Sequence, residues 1–179
     1  MEFINSRPDI VRSITQRWLL SYWNRLRGKD AVPAWPGFRL TEMAAMGDDL
    51  AFADITDNNG TPRLFVRFQG KNIIDAFGIS TVGRYLDEIL PRPYRDVALA
   101  TCHQVLATKL PVYTVSDMRD RDGRIVHFER LLLPFGHKGA ELGRILASME
   151  TVSPEGAFTS RDLMKPKLPT FALCTTIRH

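Results

Sequence analysis

The spacing of apolar positions divides the chain into a leading helix, two strands, a helical block and three further strands. Residues 9–27 read as a helix, because Ile10, Ile14, Trp18, Tyr22 and Leu26 recur every four positions, the repeat of one helical face. Pro8 and Asp9 suit its first turn, Ser6 its cap and Gly28 its stop. Leu19, Leu20 and Trp23 widen the apolar stripe beyond one face, so this helix has two surfaces to bury. Either one side meets the chain's own sheet and the other a second subunit, or both sit in one deep groove of the same chain. Residues 28–40 carry Gly28, Pro33, Pro36 and Gly37 and form a linker, and residues 41–49 a short helical turn. Leu50 to Ile55 and Arg63 to Gln69 read as a hairpin around Asp57-Asn58-Asn59-Gly60. Strict alternation puts Leu64, Val66 and Phe68 on one face of it.

The stretch FQGKNIIDAFGISTVGRYLDEIL, residues 68–90, interrupts this pattern with two apolar bursts, each fenced by glycine and each too short for an ordinary helix. Pro91 and Pro93 then punctuate the chain, and residues 93–110 read as one long helix that gathers Tyr94, Val97, Ala98, Thr101, Cys102 and Val105 on one side. Pro111 to Asp117 and Ile125 to Phe135 are β-rich runs around the Asp-Gly of MRDRDGR, and Arg144 to Val152 comes after the loop GHKGAELG. The order predicts a five-stranded antiparallel sheet with the helical block on one face and the leading helix on the other face or an edge. The last 27 residues, 153–179, hold three prolines and no clear periodicity, which predicts an extended tail. The organisation is therefore a helix over residues 1–29, a domain over 30–155 and a tail over 156–179.

Composition narrows the classes. A chain of 179 residues that is 44% hydrophobic and 25% charged builds a globular core. The net charge of +4 comes from scattered basic residues, which describes a mixed solvated surface rather than a nucleic-acid footprint. The two cysteines, Cys102 and Cys174, lie far apart, neither a disulfide framework nor a zinc pattern, and fit reduced thiols in a cytoplasmic compartment. The first residues lack the apolar core of a signal peptide, and no apolar run approaches the ~18 residues of a membrane span.

The residues then point to a family. The element order resembles the PAS fold, in which a hairpin, two short helices, a longer helix and a three-stranded meander enclose a small pocket. Phe68-Gln69-Gly70-Lys71-Asn72, Phe77-Gly78 and Gly83-Arg84-Tyr85-Leu86 look like the stretch entering the PAS pocket helices. Tyr22-Trp23-Asn24-Arg25-Leu26-Arg27-Gly28, Gly83 to Asp87, Pro111 to Tyr113 and Arg130 to Pro134 are similar to elements of a family of short bacterial proteins with one divergent PAS domain. The resemblance covers roughly residues 10–153 and implies an α+β fold with a PAS-like five-stranded sheet, short crossover helices and an added N-terminal helix. It also implies a pocket, with Val66, Phe68, Ile74, Phe77, Tyr85, Tyr94, Cys102, Leu132 and Met149 as candidate lining. Such a wall serves a ligand site or a filled core equally well.

Cofactor chemistry finds little support in the residues. Photosensory flavin PAS domains carry an Asn-Cys-Arg-Phe-Leu-Gln-type helix where this chain has Gly83-Arg84-Tyr85-Leu86-Asp87, without cysteine. The histidine on the long helix, His103, falls away from the apolar stripe, so haem ligation is not expected. Asp120-Arg121-Asp122-Gly123 echoes a calcium loop but has Met118 where an acid is needed. No metal site, no cofactor and no catalytic residues are predicted. The expected function is a non-enzymatic sensory or regulatory module in the cytoplasm, acting through an unidentified signalling protein and a homodimer, with Ile14, Trp18, Tyr22 and Trp23 as the candidate interface. The alternative is a small-molecule binder or enzyme in the same pocket, with His127, Glu129 and Tyr113 on strands whose facing the sequence leaves open.

Overall fold

Ser13, not Ser6, starts the leading helix. Pro8–Ile10 forms a separate single turn, the chain then extends to bury Val11, and the Ser13 side chain accepts a hydrogen bond from the Gln16 amide (3.2 Å). Helix α1 spans Ile14–Arg27 and stops at Gly28, whose φ of 56° suits a residue without Cβ. The structure, a computed structural model, describes residues 2–58, 60–90, 92, 94–136, 141–161, 163 and 170–178. The breakers Pro91 and Pro93, the turn residue Asn59, residues 137–140 of the predicted loop and 164–169 of the tail lie outside the described residues.

The strands are β1 (Ile4–Ser6), β2 (Leu50–Asn58), β3 (Thr61–Gln69), β4 (Val112–Arg119), β5 (Ile125–Gly136), β6 (Leu142–Val152) and β7 (Thr170–Ile177). The helices after α1 are α2 (Lys71–Phe77), α3 (Leu86–Ile89) and α4 (Tyr94–Thr108), and a ten-residue 3₁₀ segment, Leu40–Asp49, precedes β2. All the strands join one sheet in the order β1-β7-β4-β5-β6-β2-β3. The predicted hairpin and meander are present: β2 pairs antiparallel with β3, and β4, β5 and β6 pair in sequence. The sheet has seven strands rather than the expected five. The tail supplies one of the two extra strands: β7 pairs antiparallel with β4, and β1 pairs parallel with β7. Its missing periodicity has a physical cause. Cys174, Thr175, Thr176 and Ile177 are consecutive and all buried, so this end of the strand has no solvent face to mark with polar residues.

One face of the sheet is covered by α1, whose Leu19, Leu20 and Trp23 pack with Leu131, Leu133 and Phe135 of β5. The other face is covered by the crossover, where Cys102 and Val105 of α4 meet Leu64, Val112 and Leu132. Strand β5 is thus buried on both faces. The helix is held by directed bonds as well as by apolar contact. The Trp23 indole donates to the Pro134 carbonyl (2.7 Å), and the Gln16 amide donates to the Glu129 and Ser148 carbonyls (3.3 and 3.2 Å).

Strict alternation fails in β3. Phe52 pairs with Phe68 but Ala53 pairs with Val66, so Arg67 is an extra residue in the ladder. This β-bulge reverses the facing of the residues beyond it. Phe68 therefore leaves the face of Leu64 and Val66, stacks on Phe52 (5.6 Å between ring centroids) and joins the α1 side of the core. Gln69 takes its place on the crossover side.

Candidate ligand-binding site

Small side chains in the middle of the sheet leave space under the crossover. Ala51 pairs with Ala147, and Ala53 follows on the same face. Helices α2, α3 and α4 arch over these positions and enclose a cavity of about 90 Å³. Its walls come from β2, β3, β5 and β6 below and from Ile73, Phe77, Leu86, Leu90, Ala98 and Cys102 above. A second cavity of about 20 Å³ lies beside it, under Tyr94 and against β4 and β5. A larger, more polar one of about 230 Å³ lies beyond Ile73 and Met149, between Asn72, Phe128, Thr151 and Phe158. The 90 Å³ space under the centre of the arch is the main cavity by its position, not its size. The glycines that shape the arch act for different reasons. Gly78 and Gly83 have φ of 68° and 77°, which favour glycine. Gly70 has an ordinary φ of −70°, but its missing side chain lets the backbone of Gly47 and Asp48 pass directly against it.

Among the described residues the wall is apolar except for Gln69, Thr81 and Arg130. Gln69 on β3 is buried, and its side-chain oxygen accepts from the Thr81 amide (2.8 Å) and the Thr81 hydroxyl (3.0 Å), tying the sheet to the crossover. Arg130 on β5 is 8% exposed and donates from Nη2 to the Thr101 hydroxyl on α4 (2.7 Å). The expected lining includes neither Gln69 nor Arg130. The bulge at Arg67 hides the facing of Gln69, whereas the facing of Arg130 follows from Val126, Phe128 and Leu132 at alternate positions of the same strand.

Of the nine predicted lining residues, Val66, Phe77, Cys102, Leu132 and Met149 meet in the main cavity. Tyr94 lines the smaller one. Phe68 is turned to the opposite face by the bulge, and Ile74 is half-buried with its neighbour Ile73 on the wall instead. Tyr85 stands outside, edge-on to Phe65 and under the Arg63 guanidinium (3.8 Å), which also pairs with Asp87 and Glu88. The α1 residues divide as well. Ile14 and Trp18 are 79% and 45% exposed, one turn apart on the outer face. Tyr22 and Trp23 are buried in the chain's own core, so they are not free to form an interface.

The polar residues on the strands have partners away from the cavity. Tyr113 donates to Glu129 (2.7 Å) on the α1 face and accepts from the Arg12 amide (3.3 Å). The His127 Nδ1 lies 2.7 Å from Asp117. The Asp120 carboxylate accepts from the amides of Asp122, Arg124 and Thr159, which closes the hairpin turn from within. Among the described residues no group of His, Cys, Asp and Glu gathers as a metal site, and no helix is long and apolar enough to cross a membrane.

Burial pushes the Cys102 thiol up to about 11 from 9.0. Burial, and then the hydrogen bond to Glu129, push the Tyr113 hydroxyl above its ordinary 10.0. Both groups keep their protons in the fold at a pH where the unfolded chain has lost them, so the folded state binds more protons. The Cys102 contribution is fully present below pH 9.0 and is lost as pH rises toward 11. The melting temperature is expected to fall over that interval, and less steeply for Cys102→Ala, in a thermal series from pH 7 to 11. An identical slope for the variant contradicts the assignment to Cys102.

No curated protein matches the chain. A solved structure of a variant of RsLOV is similar at 13% identity, covering 65% of this chain and 69% of that one, with a TM-score of 0.42. The family model described as PAS domain matches residues 11–150, from the buried Val11 ahead of α1 through most of β6. With the hairpin, the arched crossover and the meander in place around one cavity, the chain belongs to the PAS domain family.

Proposed function

We propose that the chain is a non-enzymatic sensory or regulatory module that acts through contacts with another protein and takes a small ligand in the cavity. One observation carries this reading: β5 is shared by the cavity and by α1. Arg130 and Leu132 form the cavity floor, while the alternate residues Leu131 and Leu133 contact the α1 side, and Gln16 binds the carbonyl of Glu129. A ligand that prefers one position of β5 would bias α1 to the same extent, and no further. The alternative, an enzyme in the same cavity, requires a nucleophile or an acid–base pair there. The polar groups on the wall are Gln69, Thr81 and Arg130, and Cys102 stays protonated at neutral pH. The two free, buried thiols fit a reducing compartment such as the cytoplasm.

The outward contact is assigned to Ile14 and Trp18, with a second copy of the chain as the first partner. Their exposure on one face of α1, with Trp18 stacked on Tyr22 at 5.3 Å, supports this. Native mass spectrometry of the purified protein is expected to give a dimer that carries a small co-purified molecule. The variant Ile14→Lys with Trp18→Lys is expected to give a monomer with unchanged circular dichroism. A monomeric unaltered chain, or a dimer that survives both substitutions, removes this surface from the reading.

A further inference from the structure

Arg130 is a buried cation with no buried anion beside it among the described residues. A guanidinium stays protonated in proteins, and a charge taken out of water needs a partner to offset the lost hydration. Its described partner is the Thr101 hydroxyl, a neutral group whose own proton is directed to the Val97 or Ala98 carbonyl. Among the described residues its Nε has no hydrogen-bond partner. The groups whose charge bears on it are the thiols of Cys102 and Cys174, and burial raises both, so both are neutral near pH 7. The acid beside it in sequence, Glu129, points to the opposite face and is bonded to Tyr113. Among the described residues no carboxylate reaches Arg130.

Arg130 also lines both cavities at once. Beyond it, apart from Gln69 and Thr81, which are bonded to each other, the main wall is largely hydrocarbon and thioether: Leu64, Val66, Leu132, Ile145, Ala147 and Met149. An occupant must therefore bring one anionic end and one apolar end. Size limits it further. A 150 Å³ cavity in another protein admits benzene, so on the same scale the two cavities that Arg130 lines, about 90 and 20 Å³, together hold roughly four or five non-hydrogen atoms. A flavin or haem is several times larger than this space. A tetrahedral inorganic anion matches the charge but leaves most of its oxygens facing hydrocarbon. A carboxylate presents two coplanar oxygens to a guanidinium, the fork geometry that arginine matches best.

We propose that the cavity binds a short-chain monocarboxylate, of acetate to propionate size, with its carboxylate paired to Arg130 and its alkyl end against Ala147 and Val66. The proposal rests on the ligand-pocket reading above and names the chemistry of its ligand. The test uses the full chain, titrated in acetate-free buffer with sodium propionate, propionamide, sodium hexanoate and sodium sulfate. Thermal shift and the arginine Nε–H region of the ¹H–¹⁵N spectrum are read together. Propionate is expected to raise the melting temperature, to move one Nε–H resonance that is absent from Arg130→Met, and to bind at least tenfold tighter than the other three. Arg130→Met, which removes the unpaired charge at similar volume, is expected to fold and to lose at least tenfold in propionate affinity. Equal binding of propionamide, or undiminished binding by Arg130→Met, overturns the carboxylate assignment and leaves the pocket reading standing. If none of the four binds, and native mass spectrometry shows no adduct, both fail. Should Arg130→Met not fold, the comparison of propionate with propionamide on the unaltered chain decides.

Discussion

Replacing Gly70 by alanine is expected to cost about 3 kcal/mol, the upper end of what overpacking a well-filled site costs. The substitution adds one methyl group at a backbone conformation that alanine adopts without strain, φ −70° and ψ 161°. The penalty therefore comes from space alone. A Cβ there would meet the Gly47 and Asp48 carbonyl oxygens, and these are backbone atoms with no rotamer to escape into. Relief requires moving the end of the 3₁₀ segment before β2, and with it the Gly70 amide bond to the Leu50 carbonyl (2.8 Å). For a chain of this length about 3 kcal/mol corresponds to roughly 6–12 °C in melting temperature. Gly47→Ala is the control, because nothing lies within 4 Å of its Cβ position. Thermal melts that show Gly70→Ala no worse than Gly47→Ala refute the close-approach explanation.

Trp23→Ala is expected to cost more, about 3–5 kcal/mol, the range for truncating a buried aromatic. Trp23 is 1% exposed and lies among the largest fully buried side chains. Its removal leaves a void between α1 and β5 and strips the Pro134 carbonyl of its 2.7 Å indole donor. Trp23→Phe separates the two contributions, since it keeps most of the volume and deletes the hydrogen bond, and it is expected to cost about 1–3 kcal/mol. Urea unfolding followed by circular dichroism measures both. A Trp23→Ala variant within about 1 kcal/mol of the unaltered chain shows that α1 is not part of the core.

Much of this arrangement is legible in the sequence, and the rest is hidden for particular reasons. The period of α4 gathers Tyr94, Val97, Ala98, Thr101, Cys102 and Val105 on one side and turns His103 away; in the structure these are buried, except Val97, which is half-buried, and His103 is exposed. A helix lying on one surface carries its facing in its period. The hairpin turns are announced by Asp-Asn-Asn-Gly and Asp-Gly. The leading helix is announced by its stripe, but not by its start, because the residues before Ser13 suit a first turn equally well. Facing within β3 is not legible, since one extra residue at Arg67 leaves no trace in composition yet exchanges the roles of Phe68 and Gln69. The candidate site suffers most from this. Five of its nine predicted residues line the main cavity, while the polar groups Arg130 and Gln69 lie on a strand buried on both faces and beyond the bulge, respectively. In β5 alternation still assigns Arg130 to the side of Val126 and Phe128 once the strand is known to be covered twice.

The segment from Thr81 to Tyr85 does more than roof the cavity. It runs along the outer edge of β3, where the Val66 amide donates to the Arg84 carbonyl (3.0 Å) and the Val66 carbonyl accepts from Gly83 (2.9 Å). Phe65 and Tyr85 complete the contact as an isolated bridge. An uncovered sheet edge is a template for pairing with other chains, and proteins guard such edges with short covering segments and charged side chains. Arg63 and Arg67 stand on this same strand. Lifting the roof to admit a ligand would bare those backbone groups, so the crossover cannot swing wide without inviting aggregation. Protection of the edge therefore limits how far the crossover can move away from the sheet.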